Sequence, residues 1–475
     1  MITAFPATVA RRLSSFPAFR STIPDSLPPM PRSRFSYAAD DLRQIARDVL
    51  DHALKCGASG CETEVSEGYG QSVTVRKGAV ETIEYNRDKG VGVSVYRGQH
   101  KGHASTSDLS ARAVRDTVEK AVSIARFTAA DPDAGMPDAD RLAMKARDPG
   151  LFHPWDLGVD EAIEIARASE AAAFAVDPRI TNSEGASVSV HHNHFMAANT
   201  LGFMGGYPSS RHHIACAVIA GKNDGMQRDD WYTSARDAAD LAPGAAVGRY
   251  AAERTLSRLK ARKIGTRQVP VLFEAPLAAS LIGSFVAAVS GGSLYRKSSF
   301  LLDSLGRQVF SPLVNIRERP HLRKGLGSAP FDDEGVATAD RDVVKDGVLQ
   351  GYFLSTYSAR KLGMQTTGNA GGNNNLLLES GNHDLPGLLR MMGTGLLVTE
   401  LIGQGINMVT GDYSRGAFGY WVENGEIRFP VQEVTIAGNL AEMFKGIVAI
   451  GNDVVVRGAR QNGSILVDRM TVAGD

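Results

Sequence analysis

Apolar positions recur along the chain with two periods. Leu42, Ile45, Val49, Leu50, Ala53 and Leu54 fall at helical spacing, and so do Val114, Val118, Ala121, Val122 and Ala125 after Ser107. A third helix is predicted over about 160–174. Between the first two helices, Cys61–Glu67, Ser72–Arg76, Val80–Tyr85 and Val91–Tyr96 alternate apolar with polar residues. Glycines and the run Asn86-Arg87-Asp88-Lys89-Gly90 separate these segments, which predicts an antiparallel meander. Strands return over 180–236, and a helix near 245–259 follows Pro243-Gly244. Past a basic link at 260–267, Val269–Phe273 reads as a strand and Leu277–Val289 as a helix. Asp346-Gly347 and Asn424-Gly425 each join two apolar runs, the signature of tight hairpins in which glycine takes a positive φ.

Helix, strands, helix is α+β layering and not a doubly wound parallel sheet. The chain therefore divides into a disordered basic, proline-rich tail at 1–37, an N-terminal helix and antiparallel-sheet domain at 38–262, divisible near 150, and a glycine-rich, mostly antiparallel β domain at 263–475.

Composition narrows the function classes. The 475 residues carry 52 Lys+Arg against 52 Asp+Glu, and zero net charge argues against a polyanion partner such as duplex DNA. The uncharged stretch 275–295 has an apolar part ending at Val289, short of the roughly 20 residues a membrane helix needs. Three cysteines, with no CxxC pair, exclude a disulfide scaffold and favour a reducing compartment. Cys56 and Cys61, with His52, make an incomplete zinc set. Residues 1–36 hold five Arg, six Pro, six Ser and one acid. That balance is like a transit peptide's, but the prolines interrupt an amphipathic helix, and Met30 offers an alternative start.

The usual chemical signatures are missing. There is no GxxxxGK[ST] phosphate loop, no complete GxGxxG and no GxSxG elbow. His192 and His194 share a strand face, and His212 and Cys216 are able to approach across a sheet, so a metal site competes there with a wet strand face. Asp332, Asp333 and Glu334 read as an acidic turn more readily than as a cation loop, because the alternating spacing of a calcium site is absent. Tyr295, Arg296 and Lys297, and Asp412, Tyr413 and Arg415 in the turn Gly411 to Gly416, are polar-aromatic clusters suited to a peptide backbone or carboxylate. In the competing structural reading Asp412 pairs with Arg415 and pins that turn.

The run 291–306, together with PFDDEGV at 330–336, SARKLG at 358–363, GDYSRGAFGYWVENGEI at 411–427 and IAGNL at 436–440, resembles the PmbA (TldE) branch of the TldD/PmbA family. STSDLS at 105–110, LFHP at 151–154 and RITNSEG at 179–185 extend the likeness over about 38–475. The resemblance implies a cytoplasmic zinc metalloprotease that degrades or processes unfolded peptides, also called a modulator of DNA gyrase. In the TldD branch an HExxxH helix binds the zinc. Its three functional positions fall here at Gly283, Ser284 and Ala288, and no HExxH or HExxxH occurs anywhere in this chain. The resemblance therefore implies a chain inactive by itself, with no cofactor of its own, paired with a TldD-like subunit that supplies Zn²⁺. It also implies unfolded peptides as substrates and a homodimer when the partner is absent, while the neutral charge and the short apolar stretch argue against a nucleic-acid or membrane partner. The alternative is a regulatory binding protein, a modulator of gyrase or of an RNA-binding regulator, with no protease role. An independent hydrolase with an unrecognised site is the third reading.

Overall fold

The computed structural model describes residues 35–146 and 148–474. The tail expected at 1–37 lies outside the described residues up to Arg34. Its last three residues are ordered, which corrects the expected start of structure. Ser36 and Tyr37 donate backbone N–H groups to the Glu67 carboxylate at 2.9–3.1 Å, and the Phe35 ring stacks on His194 at 3.9 Å.

The N-terminal region runs α1 (Ala39–Lys55), β1 (Gly60–Arg76), β2 (Ala79–Arg97), β3 (His100–Thr106), α2 (Ala111–Phe127), α3 (Val159–Phe174), β4 (Ile180–Asn199), β5 (Met204–Gly205), β6 (Pro208–Ala220), β7 (Gln227–Ala235) and α4 (Gly244–Ser257). The strands form one antiparallel sheet in the order β3-β2-β1-β4-β6-β7, with the short β5 on β4. The four short strands expected over 61–96 are in fact the two long strands β1 and β2, joined at Lys77-Gly78 with φ of 52° and 75°. Gly68 and Gly70 are not turns. A Cβ on Gly70 would stand 2.5 Å from the Val190 carbonyl oxygen of β4, so this glycine marks close backbone approach within a continuous strand.

The odd-numbered residues of β1 and the even-numbered ones of β4 face the helices. At one end Val65, Val93 and Met196 bury against Leu42, Val49 and Val118 of α1 and α2. At the other end Val73, Val188 and Val218 bury against Ala166, Val247 and Ala251 of α3 and α4. Ser110 begins α2 by accepting the Ala113 N–H, as a serine N-cap does.

The C-terminal region runs β8 (Arg267–Phe273), α5 (Ala275–Ala288), α6 (Gly291–Tyr295), β9 (Ile316–Glu318), β10 (Arg341–Lys345), β11 (Val348–Leu349), α7 (Thr356–Lys361), β12 (Leu376–Leu378), α8 (Leu385–Met392), β13 (Gly395–Ile402), β14 (Asp412–Glu423), β15 (Glu426–Asn439), α9 (Leu440–Lys445), β16 (Ile447–Ile450), β17 (Arg460–Gln461) and β18 (Ile465–Ala473). Its main sheet is ordered β15-β14-β13-β8-β18-β16, and β15 also pairs with β18, which closes five strands into a barrel. Among the described strands of this region, β8 with β13 and β12 with β17 are the pairs that run parallel. Both expected hairpins form: Asp346-Gly347 joins β10 to β11, and Asn424-Gly425 joins β14 to β15. Phe273, Leu281, Phe285, Phe310 and Ile436 centre the core, and α5 buries one face in it.

Arg254 of α4 ties the two regions together. Its guanidinium, buried, meets Asp229 of β7 at 3.2 Å and Glu274, the residue before α5, at 2.7 Å.

Candidate functional site

The helix-free face of the N-terminal sheet turns toward the C-terminal loops and leaves a cleft of about 580 Å³. β1 contributes Glu64 and Ser66 to it, β4 contributes Asn193 and Phe195, and the loops at 329–333 and 368–374 form the opposite wall. Phe331 closes the base against Phe203, Phe195 and Tyr207.

Acidic groups dominate the cleft and its support. Asp332 is buried and organises its loop. Its Oδ1 accepts the Glu334 and Val336 N–H groups, and its Oδ2 accepts that of Ala370 at 2.9 Å. Burial, with the Glu334 charge beside it, pushes the Asp332 carboxyl up to about 7 against those donors. Asp333 projects into the cleft and burial raises its pKa. Glu64, across the cleft, is raised by burial and then by the Asp333 charge. Gly371, at φ 95°, lets its loop pass Asp333, since a Cβ there would stand 2.3 Å from a carboxylate oxygen. Glu334 accepts the Thr356 N–H at the start of α7. The acidic turn is thus loop architecture from which one carboxylate, Asp333, faces solvent space.

The cleft opens beside a bare strand edge. β3 covers β2 only over 91–97, and no described strand pairs with the outer edge of residues 79–90. Asp88, Lys89 and Gly90 of this edge line the cleft, while Val80, Ile83 and Tyr85 are exposed along it. An unpaired edge offers backbone N–H and C=O groups to an extended chain.

Among the described residues, His192, His194 and His212 form neither a metal cluster nor a wet strand face. All three are buried on the helix-bearing face of the sheet, along the strands between the α1–α2 and α3–α4 cores. Phe35 stacks on His194, Tyr69 lies 4.7 Å from His192, and Trp155 lies edge-on to His212. Nε2 of His212 lies 2.9 Å from the His153 carbonyl oxygen. Burial lowers the pKa of His194 and of His212, which keeps these rings neutral packing elements. Burial also pushes Glu67 upward, but the Ser36 and Tyr37 N–H groups and His194 outweigh it and hold its pKa low. Cys61 and Cys216 are buried, and burial raises each thiol to about 12.

Gly283, Ser284 and Ala288 all lie on α5. The Ser284 hydroxyl bonds back to the Ser280 carbonyl, and Ala288 is fully buried. The space over Gly283 belongs to Arg460 of β17: a Cβ on Gly283 would stand 2.9 Å from its Nη1. Among the described residues the Arg460 Nε is buried without a hydrogen-bond partner, and burial lowers the pKa of the group. A glycine, a self-satisfied serine, a buried alanine and a guanidinium do not fit a zinc ion.

Neither polar-aromatic cluster lines the cleft. Arg296 folds back on the Tyr295 hydroxyl at 2.9 Å, the Tyr295 ring meets Tyr357 of α7 edge-on, and Lys297 is exposed at φ 55°. The expected turn from Gly411 to Gly416 is instead the start of β14, because Asp412 to Gly416 pair with β15 in register. Asp412 bonds Thr410 and Asn439 and makes no pair with Arg415, while Tyr413 is buried in the barrel core. The β2 edge and the Glu64–Asp333 pairing escaped sequence reasoning. The alternation of Glu62, Glu64 and Ser66 opposite Thr63 and Val65 is the one sequence signal that assigns Glu64 to the second face.

Comparisons with known proteins agree with this architecture. Three family models match in chain order: the PmbA/TldA metallopeptidase domain 1 at 61–125, the central domain at 152–259 and the C-terminal domain at 266–474. The chain is 48% identical over 435 residues to the metalloprotease PmbA of Escherichia coli O157:H7, covering 91% of this chain and 97% of that protein. It is 48% identical to the PmbA homolog of Haemophilus influenzae, covering 92% and 96%. Among solved structures, a protein from Bacteroides thetaiotaomicron described as a modulator of DNA gyrase superposes with a TM-score of 0.88 at 27% identity, over 92% of this chain and 100% of that one. With its three domain models in order and near-half identity to PmbA over nearly its whole length, this chain belongs to the PmbA/TldA metallopeptidase family.

Proposed function

We propose that this chain is the subunit without the catalytic zinc of a cytoplasmic two-chain TldD/PmbA-type metalloprotease, in which a TldD-like partner holds that zinc and this chain helps to hold unfolded peptide. The observation that carries this reading is the guanidinium of Arg460 against Gly283, where the related branch places its metal helix. A dication about 4 Å from a fixed guanidinium meets a repulsion of roughly 8 kcal/mol at an effective dielectric constant near 20. No histidine or carboxylate on α5 offsets it. The catalytic metal therefore belongs to another chain, and no chemical step is assigned to α5.

What this chain contributes is a surface for an extended backbone. A peptide added to residues 79–90 of β2 satisfies its main-chain groups along the edge and runs to the cleft. There Glu64 and Asp333 accept backbone N–H groups or a basic side chain. Such binding is sequence-tolerant, as the handling of unfolded peptides requires.

The test is co-expression with a TldD-like subunit. The two chains should co-elute, the mixture should cleave a casein-like peptide, and this chain alone should not. Cleavage by this chain alone at a rate near that of the mixture overturns the reading, as does a failure of the two chains to associate.

A further inference from the structure

His52 and Cys56 lie one helical turn apart at the end of α1, so their side chains share a face. α2 packs beside that face and presents Glu119 to it. His52 Nε2 stands 3.1 Å from Glu119 Oε1 and 3.7 Å from Cys56 Sγ. All three donor atoms lie within 4.8 Å of one another. In a tetrahedral zinc site with bonds of about 2.0–2.3 Å, the N–O and N–S edges are about 3.3 and 3.6 Å. Two of the three edges are therefore already set, and the third closes by rotation of the exposed Glu119 side chain.

We infer that His52, Cys56 and Glu119 form a binding site for a zinc-class divalent cation, with water as the fourth ligand, which clamps α1 to α2. An imidazole nitrogen, a thiolate sulfur and a carboxylate oxygen favour zinc or cobalt over magnesium or calcium, whose preferred ligands are oxygens. The site lies among the helices, on the opposite face of the N-terminal sheet from Glu64 and Asp333, and has no part in peptide cleavage. Binding replaces the Cys56 S–H proton, which passes to solvent, with a metal–sulfur bond, and takes His52 as the neutral imidazole, so affinity rises with pH. The sequence shows two of these three ligands together, because Glu119 reaches His52 across 67 residues through the packing of two helices.

The test uses the full chain, stripped with a chelator and titrated with Co²⁺ alone. One equivalent should produce a thiolate-to-cobalt charge-transfer band in the near ultraviolet and visible bands of tetrahedral intensity, and Zn²⁺ should abolish both. The sulfur is identifiable, since Cys61 and Cys216 are buried and Cys56 is the remaining thiol. Cys56→Ser should remove the charge-transfer band, and Glu119→Gln should weaken cobalt binding at least tenfold. Both variants should keep the far-ultraviolet circular dichroism and metal-free melting temperature of the parent. Absence of the band in the folded parent at millimolar cobalt overturns the site, and so does a band that survives Cys56→Ser. Zn²⁺ should also raise the melting temperature of the parent and not that of Cys56→Ser; equal shifts in the two refute the clamp.

Discussion

Raising the pH should weaken the fold through Asp332, and the size of the effect follows from its surroundings. The side chain is 8% exposed, and burial together with Glu334 moves its pKa from the usual 3.8 to about 7. Between those values the folded chain keeps a proton that the unfolded chain has lost. The protonated acid therefore supports folding in full below pH 4, and that support declines steadily as the pH rises from 4 and is gone just above 7. At about 1.4 kcal/mol per pKa unit, the full loss is about 4 kcal/mol. His191, His194, His212 and His213 act in the opposite sense. Their pKa values are lowered from 6.5 by burial, so they favour the fold increasingly as the pH rises toward that value. The total stability curve therefore mixes both effects, and the difference from Asp332→Asn isolates one. Asparagine keeps the Oδ1 acceptor for Glu334 and Val336 but turns an N–H₂ toward the Ala370 N–H, a pH-independent loss of about 1 kcal/mol. The assay is urea denaturation of both proteins at pH 5, 6, 7 and 8.5. The variant should lie within about 1 kcal/mol of the parent at pH 5 and exceed it by about 3 kcal/mol at pH 8.5. A difference that stays constant from pH 5 to 8.5 would refute the burial account of this carboxyl.

Four further outcomes are expected. Gly70→Ala forces a Cβ to 2.5 Å from the Val190 carbonyl oxygen and should cost about 1–3 kcal/mol in thermal denaturation. Arg254→Met strands the buried Glu274 carboxylate while Arg258 still reaches Asp229, so it should cost about 3–5 kcal/mol, largely recovered by adding Glu274→Gln. A chain beginning at Ala38 should melt several degrees below one beginning at Arg34, because Glu67 loses the Ser36 and Tyr37 donors; equal melting temperatures would show that these contacts contribute nothing. Arg415→Ala should leave stability within about 1 kcal/mol, since Asp412 is not its partner, and should lower kcat/KM of the two-chain complex roughly tenfold if Arg415 touches peptide; unchanged cleavage removes it from the site.

The fold was legible wherever local chemistry decides it. The two Xaa-Gly hairpins and the apolar stripes of α1 and α2 all follow from spacing within a single element. The long hairpin of β1 and β2 was misread because glycine serves two ends. Gly78 takes a positive φ at a turn, whereas Gly68 and Gly70 have no unusual φ and instead make room for Asn193 and for the β4 backbone. No neighbour in sequence distinguishes the two uses, since the atom that demands each glycine lies over a hundred residues away. The histidines were misread for a related reason. Alternation on β4 correctly places His192 and His194 on one face, but which face is covered depends on Phe35, Phe152 and Trp155, none of them on that strand.

The site follows the same rule at a larger scale. Missing zinc ligands are visible in sequence, because a motif is local. What takes their place is not, since Arg460 comes from β17, 177 positions after Gly283, and tertiary packing that includes the pairing of β17 with β12 and the bond from Asn462 to the Ala275 carbonyl sets it over α5. That arrangement bears on whether α5 could acquire a metal. A mere loss of ligands leaves a helix to which substitution could return a metal site. A guanidinium over the vacated position opposes that return, so Gly283→His, Ser284→Glu and Ala288→His together should still fail to bind zinc tightly at α5 while Arg460 remains. Arg460→Ala in that background removes the repulsive charge and should strengthen zinc binding at least tenfold, read by chelator competition in a Cys56→Ser chain so that the α1–α2 cluster adds nothing. Equal affinity with and without Arg460 would mean that the missing ligands alone keep zinc off α5, and that the guanidinium opposes no metal there.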